Sequence, residues 1–216
     1  MAHRIQVEVE RKYDAGAQAP VPDLVGVGAV AVVEPATEAL LVAVYYDTEH
    51  LDVSAARRAL RRRVGGADEG WHVKVAPEGS EGRTEHHWPL TDGEDVPAEI
   101  AEELAPLTAG RTLRPVARVV NRRVTTRLLD AAGYPVAEFC DDHVVAEDLR
   151  DGTTRRWREW EVELAPAAPE HPAARAALWN GIEGRVARAA GRPSSSSSKL
   201  ARALGIDPMP EDTPMS

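Results

Sequence analysis

Apolar and polar residues alternate along much of the chain with the two-residue period of a β-strand. Residues 5–13 read I-Q-V-E-V-E-R-K-Y, which puts Ile5 and Val7 on one face and Glu8 and Glu10 on the other. Comparable runs predict strands at residues 28–33, 40–48, 60–64, 71–76, 83–90, 115–129, 134–147 and 155–164. Turns rich in Gly, Asp and Pro separate several of them, at 65–68, 77–80 and 130–133. The pattern therefore predicts an antiparallel β protein.

Three shorter segments have the pattern of helices. Residues 97–107 begin with Pro97 and have glutamates early, as a helix N-terminus favours. Residues 173–190 form a second candidate, and residues 199–204, which end at Gly205, form a third. The serine run at 194–198 is predicted to be a mobile link before the third helix.

Composition places the chain among ordinary globular proteins, with 43% apolar and 28% charged residues in 216. No stretch approaches the roughly 20 consecutive apolar residues that a membrane span needs. The N-terminus enters a charged strand pattern instead of a signal peptide, so we expect a cytoplasmic protein without a membrane partner. The one cysteine, Cys140, excludes an intrachain disulfide and a cysteine-rich zinc site.

The net charge of −9 argues against general binding to nucleic acid, which calls for a basic surface. A small anion stays possible as a partner if positive charge is concentrated locally. Five arginines do fall within residues 57–63. The sequence leaves open whether the protein is a monomer or a homodimer.

Charged residues collect on one face of several predicted strands. Two acidic faces result, one with Glu8, Glu10 and Lys12 and the other with Glu159, Glu161 and Glu163. Basic or mixed faces combine Arg61 with Arg63, His72 with Lys74, Arg83 with Glu85 and His87, and Arg118 with Arg122. Glu138, Cys140 and Asp142 also share one face. In any single strand, such a face is typical of the solvated side of a sheet. If about eight strands close into a barrel, the same faces line one lumen.

A lumen of this kind suits the chemistry of a tri- or polyphosphate. Arg and Lys bind phosphoryl oxygens directly, whereas carboxylates contact them through a divalent cation. Mg²⁺ and Mn²⁺ prefer oxygen ligands, so glutamates two residues apart on a strand suit these ions. Basic and acidic side chains in the same lumen are therefore consistent with one site that binds a phosphate chain together with a divalent cation.

The segment Glu8-Val9-Glu10-Arg11-Lys12 resembles the E-x-E-x-K signature that opens CYTH domains of the triphosphate tunnel family. Further motifs follow at 45–48 (Y-Y-D-T), 60–63 (L-R-R-R), 71–74 (W-H-V-K), 83–85 (R-T-E), 160–164 (W-E-V-E-L) and 198–204 (S-K-L-A-R-A-L). The last resembles the closing S-K-x-x-x-x-L element. Residues 45–74 are similar to bacterial proteins that join a CYTH domain to a helical CHAD domain. Because the chain ends soon after the closing element, we expect a stand-alone CYTH protein.

The resemblance implies a mainly β (α+β) fold, an eight-stranded antiparallel β-barrel that forms a tunnel flanked by helices. It implies one domain over residues 1–207 and a disordered tail at 208–216. The implied cofactor is Mg²⁺ or Mn²⁺, with metal ligands among Glu8, Glu10, Asp142, Glu159, Glu161 and Glu163. The implied phosphate-binding residues are Lys12, Arg61, Arg63, Lys74, Arg83, Arg118, Arg122 and Lys199. Catalytic roles are expected for Lys12, Arg63, Lys74 and Glu85.

One departure from the family pattern is Val120, where a second basic residue often follows two positions after Arg118. Arg122 keeps the same parity and is a candidate substitute. We expect Asp47 and Thr48 to close a turn.

Hydrolysis of inorganic triphosphate is the leading expectation for function. Thiamine or nucleoside triphosphatase, CYTH-type adenylate cyclase, and a non-catalytic polyphosphate-binding module remain alternatives.

Overall fold

The computed structural model describes residues 3–75, 82–196 and 198–210. Their strands are β1 (Arg4–Glu8), β2 (Glu10–Ala15), β3 (Val32–Val33), β4 (Thr37–Asp47), β5 (Arg58–Val64), β6 (Gly70–Val75), β7 (Arg83–Trp88), β8 (Arg114–Leu129), β9 (Pro135–Asp148), β10 (Thr154–Leu164) and β11 (Arg192–Pro193). Their helices are α1 (Asp52–Ala55), α2 (Ala98–Thr108), α3 (Pro172–Arg188) and α4 (Lys199–Ala203). The predicted mainly β class is confirmed.

The strands form one antiparallel sheet in the order β1-β7-β6-β5-β4-β8-β9-β10-β2-β11, with β3 attached to β8. β1 and β2 are the two halves of the predicted first strand, and they are separated at Val9. β1 pairs with β7 at one end of the sheet, and β2 pairs with β10 near the other. Because one continuous segment joins both ends, the sheet curls into a tunnel.

The strand number differs slightly from the predicted eight. If β1 and β2 are counted as one strand, they and β4 to β10 make the eight strands of the tunnel wall. The observed eleven among the described residues arise from the split at Val9 and from the two-residue strands β3 and β11.

Apolar residues of the outward parity pack under two helices. Leu178 and Ile182 of α3 join Trp160 of β10 in one core cluster. Ile100 of α2 joins Trp71 of β6 in another. Burial of these side chains attaches the helices to the outside of the tunnel, which leaves the polar parity facing inward.

Helix α4 packs differently, because it lies on the inner face of the sheet. Leu200 and Leu204 belong to a buried cluster with Ala43 of β4 and Val119 of β8. Ala43 and Val119 also line the central cavity. The last helix therefore covers one part of the tunnel interior and brings its own side chains to the cavity.

Two of the predicted turns are present. Gly65 and Gly66 adopt positive φ angles of 88° and 82° between β5 and β6, a conformation that L side chains rarely adopt. Asp130 accepts hydrogen bonds from the backbone N–H groups of Ala132 and Tyr134 in the turn between β8 and β9. The predicted turn at 77–80 lies outside the described residues.

Three local expectations require correction. The predicted strand at 28–33 is reduced to Val32–Val33, because the apolar Val30 before it packs into the α3 core as part of a loop. The serine run was predicted to be a mobile link, but its described part is hydrogen-bonded to β2. Asp14 accepts hydrogen bonds from Ser194 Oγ (3.0 Å) and Ser195 N (3.1 Å). Val7 of β1 is 70% exposed, so the flanking helices among the described residues do not cover the apolar face of this strand.

The predicted disordered tail at 208–216 is described only in part. Pro208 accepts a hydrogen bond from Arg202 Nε at 3.3 Å. Residues 211–216 lie outside the described residues.

Candidate active site

A cavity of about 330 Å³ occupies the tunnel, and charged side chains dominate its wall. Among the described residues of the wall, nine are basic: Lys12, Arg57, Arg58, Arg61, Arg63, Lys74, Arg83, Arg123 and Lys199. Seven are acidic: Glu8, Glu10, Asp68, Glu85, Glu161, Glu163 and Asp207. The described part of the lining thus carries a small formal positive excess in a chain whose net charge is −9. Confinement within low-dielectric walls focuses this positive potential on an entering anion.

Three glutamates lie where the sheet closes; we call Glu8, Glu10 and Glu163 the closure carboxylates. Glu10 and Glu163 are direct cross-strand partners on β2 and β10. Glu8 pairs with Lys74 Nζ at 2.6 Å, and Glu10 lies 3.3 Å from Arg83 Nη1. Burial raises the pKa of Glu163 to about 7, and the negative charges of Glu8 and Glu10 add to the rise. The three carboxylates repel one another, and a bound cation would reduce that repulsion.

The closure carboxylates have the donor chemistry of a site for Mg²⁺ or Mn²⁺. All their donors are oxygens, the atoms that these hard cations prefer. Glu10 Oε1 is buried and makes no hydrogen bond among the described residues, although Lys12 Nζ at 3.2 Å and Arg83 Nη1 at 3.3 Å lie within ion-pair distance of it. This oxygen therefore keeps acceptor capacity that a bound cation would use. The residues here therefore fit the ion.

A second acidic group, which we call the acidic triad, consists of Asp142, Glu159 and Glu161. One carboxylate oxygen from each lies within 4.8 Å of the others, a spacing compatible with a shared cation. The ammonium of Lys199 lies among them, at 2.8 Å from Asp142, 2.6 Å from Glu159 and 2.8 Å from Glu161. The triad thus already holds a cationic group that belongs to the protein.

Arginines of β5 form another basic part of the cavity wall. Arg61 Nη2 pairs with Glu85 at 3.2 Å, and Arg63 pairs with Asp68. Burial and then the neighbouring charge of Arg61 lower the pKa of Arg63 to about 10. The Nε atoms of both arginines are buried without a hydrogen-bond partner in the described part of the chain. Two crowded guanidinium groups with unused donors form a potential anion site.

Glu85 of β7 connects these arginines to the rest of the lining. It lies 3.7 Å from Lys74 Nζ and 3.0 Å from His72 Nδ1. Burial opposes its ionisation, but the contacts with His72, Arg61 and Lys74 outweigh it and hold the pKa of Glu85 far below its usual range. Glu85 is therefore a fixed negative charge that orients basic side chains.

The arginine of β8 that faces the tunnel is Arg123, which the sequence interpretation missed. It donates two hydrogen bonds to Asp142, at 2.8 and 2.7 Å, and contacts Glu161 at 2.5 Å. Both parities of this strand contain arginine, so alternation alone does not choose between them. The sequence offers no signal that separates them, because the pairing of Arg123 with Asp142 depends on the register between β8 and β9.

The expected phosphate-binding roles of Arg118 and Arg122 are therefore corrected. Both side chains are exposed on the outer face of β8, and Arg122 Nη1 pairs there with Glu38 at 2.9 Å. Neighbouring residues Val119, Asn121 and Arg123 line the cavity instead. The physical reason is the two-residue period of a strand, by which a shift of one residue moves a side chain to the other face.

Comparison with known proteins agrees with this architecture. The model of the CYTH domain family matches residues 6–183. The chain belongs to the CYTH domain family. An uncharacterized protein of Mycobacterium tuberculosis, found in strains CDC 1551 and H37Rv, is 37% identical over 210 residues. The match covers 92% of this chain and 40% of that protein, so the chain spans well under half the length of these relatives.

Two solved structures support the CYTH fold. A putative adenylate cyclase from Bacillus halodurans superposes with a TM-score of 0.61 at 16% identity, over 92% of this chain and 97% of the other. A protein from Pyrococcus horikoshii gives 0.53 at 18% identity, over 92% and 99% of the two chains. At such identities the likeness concerns the fold alone.

The CYTH tunnel brings most of the expected residues together. Those that line the cavity are Glu8, Glu10, Lys12, Arg61, Arg63, Lys74, Arg83, Glu85, Glu161, Glu163 and Lys199. Asp142 and Glu159 lie behind that lining as buried members of the triad. Lys12 contacts both Glu10, at 3.2 Å, and Glu161.

Within the described residues, no helix is long and apolar enough to span a bilayer.

Proposed function

We propose that this CYTH domain hydrolyses small anions that contain a triphosphate, inorganic triphosphate first, and that it does so with Mg²⁺ or Mn²⁺. The observation that carries the proposal is that the guanidinium pair of Arg61 and Arg63 and the closure carboxylates open into the same cavity. A pure anion binder has no need for carboxylates in its lining, whereas phosphoryl transfer uses both signs of charge.

The basic side chains would hold the phosphate oxygens. Arg61 and Arg63 offer planar forks that match phosphoryl oxygens in pairs. Lys74 contacts Glu8 and also Glu85, which is the partner of Arg61. Arg83 contacts Glu10, so basic side chains connect the arginine pair with the closure carboxylates. This arrangement would place a terminal phosphate next to the closure carboxylates.

Glu10 and Glu163, with Glu8 beside them, would hold the divalent cation. The bound ion would supply positive charge to the phosphoryl oxygens as water replaces the leaving pyrophosphate. The protein's own contribution is positioning and charge stabilisation, which dominate catalysis of phosphoryl transfer. Lys12, between Glu10 and Glu161, would add a further fixed positive charge at the same end.

The lining favours a bare phosphate chain over a nucleotide. Among the described residues that form the cavity wall, Tyr45 supplies the one aromatic ring. Proteins commonly recognise an unpaired base by stacking it on aromatic side chains, and this wall offers little surface for that. Thiamine or nucleoside triphosphates and the cyclase reaction suggested by the name of the Bacillus halodurans neighbour are therefore second candidates.

Phosphate release from inorganic triphosphate, ATP and thiamine triphosphate, each with Mg²⁺ or Mn²⁺, tests the proposal. We expect the fastest turnover with inorganic triphosphate and none after chelation with EDTA. Formation of cyclic AMP from ATP would favour the cyclase instead. Tight binding of triphosphate without any turnover would identify a non-catalytic binding module. We propose a cytoplasmic location, a small anion as partner and no nucleic acid, in line with the composition.

A further inference from the structure

The ammonium group of Lys199 faces all three carboxylates of the acidic triad, since it donates hydrogen bonds to Glu159 and Glu161 and forms an ion pair with Asp142. An ammonium group has three N–H donors. Lys199 Nζ lies 2.6–2.8 Å from one oxygen of each of the three carboxylates. The Asp142 side chain is fully buried, and that of Lys199 is 11% exposed. These three contacts are charge-assisted and largely removed from water, so they are strong.

The position of Lys199 is set by α4 and not by a flexible arm. Leu200 and Leu204 bury the helix against the inner sheet face, and Arg202 is completely buried. Lys199 is the first residue of this helix, where a positive charge is disfavoured by the helix dipole. A lysine at that position is explained by the three carboxylates that receive it.

The remaining oxygens of the triad are also engaged by cations. Arg123 binds Asp142 through both carboxylate oxygens and contacts Glu161. Arg202 Nη1 donates to Glu159 at 3.2 Å. A divalent cation would have to displace Lys199 in order to reach the three carboxylates. Because basic side chains already neutralise these carboxylates, they would attract the cation only weakly.

We propose that Lys199 is a tethered cation that takes the place of a divalent ion in the acidic triad and so restricts metal binding in the tunnel to the closure carboxylates. The inference builds on the proposed metal-dependent function and deepens it. Asp142 and Glu159, which the sequence suggested as metal ligands, then hold a lysine. Lys199, which the sequence suggested as a phosphate contact, then serves the protein's own carboxylates.

The number of bound Mn²⁺ ions per chain, measured by isothermal titration calorimetry and by electron paramagnetic resonance without substrate, tests this. Lys199→Met removes the charge and keeps an unbranched side chain. We expect this variant to bind one more Mn²⁺ than the wild type, and its melting temperature to rise more on addition of Mn²⁺ than that of the wild type. Arg118→Met, on the outer face, is the matched control and should bind as many ions as the wild type.

Asp142→Asn in the otherwise wild-type chain tests the same claim if Lys199→Met fails to fold. It removes one triad charge and leaves Lys199 two carboxylates. The proposal expects an unchanged number of Mn²⁺ ions, and loss of one ion would overturn it by showing that the triad binds metal natively. An equal number of ions in the wild type and Lys199→Met would overturn it too. These measurements need no turnover, so the result is separate from any failure of the proposed hydrolysis.

Discussion

Glu10 and Glu163 are direct cross-strand partners at the junction where β2 and β10 close the tunnel. Two like charges opposite each other destabilise a sheet by up to about 1 kcal/mol. The contacts of Glu10 with Lys12 and Arg83 offset part of this repulsion, and a bound cation would offset more of it.

Glu163→Gln should therefore have opposite effects on stability and on metal binding. In EDTA, we expect the free energy of unfolding to rise by up to about 1 kcal/mol, because the repulsion with Glu10 is removed. We expect the affinity for Mn²⁺ to fall by at least about tenfold, since loss of a ligand costs no less than loss of a supporting contact. Urea unfolding and calorimetric titration measure the two quantities.

The control for this prediction is Glu38→Gln. Glu38 is an exposed glutamate whose pairing with Arg122 lies on the outer face. It should change neither the metal affinity nor the free energy of unfolding measurably. Unchanged Mn²⁺ affinity in Glu163→Gln would remove Glu163 from the metal site.

Arg63→Lys should lower the turnover number more than it raises KM. A lysine keeps the charge but cannot reproduce the two-pronged contact of a guanidinium with phosphoryl oxygens. If Arg63 stabilises charge that develops in the transition state, kcat should fall on the order of 10²-fold. Steady-state kinetics with inorganic triphosphate provide the measurement, with Arg118→Lys as the outer-face control. A variant with weaker saturation and unchanged kcat would make Arg63 a ground-state substrate contact.

Arg123 and Arg122 are adjacent in the chain but face opposite sides of β8, so they form a matched pair. Arg123→Met leaves Asp142 and Glu161 buried with one fewer partner, and we expect a loss of about 3 kcal/mol in the free energy of unfolding. Arg122→Met removes an exposed ion pair and should change it by less than about 0.5 kcal/mol. Equal losses in urea denaturation would contradict the assigned register of β8.

Asp47 should contribute to stability and not to catalysis. Its buried carboxylate accepts hydrogen bonds from Thr48 N (2.7 Å), Val53 N (2.9 Å) and Ser54 N (2.9 Å), which holds the start of α1 against β4. Asp47→Ala should lower the free energy of unfolding by about 2 kcal/mol. The variant should keep wild-type kcat at a temperature where it is folded. A selective loss of kcat would assign Asp47 to the catalytic machinery instead.

The side chains that face the tunnel were predictable in strands where one face is apolar and the other is charged. In β10, Trp160 and Val162 alternate with Glu159, Glu161 and Glu163, so only one orientation buries the apolar side chains. The same reasoning places Arg61, Arg63 and Lys74 inside the tunnel. It was insufficient for β8, where Arg122 and Arg123 occupy opposite parities and either orientation brings an arginine inward.

By itself, the sequence determined the β architecture, the family and the inward faces of the strongly alternating strands, because side-chain alternation is a local property of the backbone. Only the tertiary structure decided which arginine of β8 faces Asp142, since that depends on the register between β8 and β9. It also decided that Lys199 meets Asp142, Glu159 and Glu161. That contact exists because α4 is buried on the inner sheet face, and it joins residues separated by about forty positions or more in the chain.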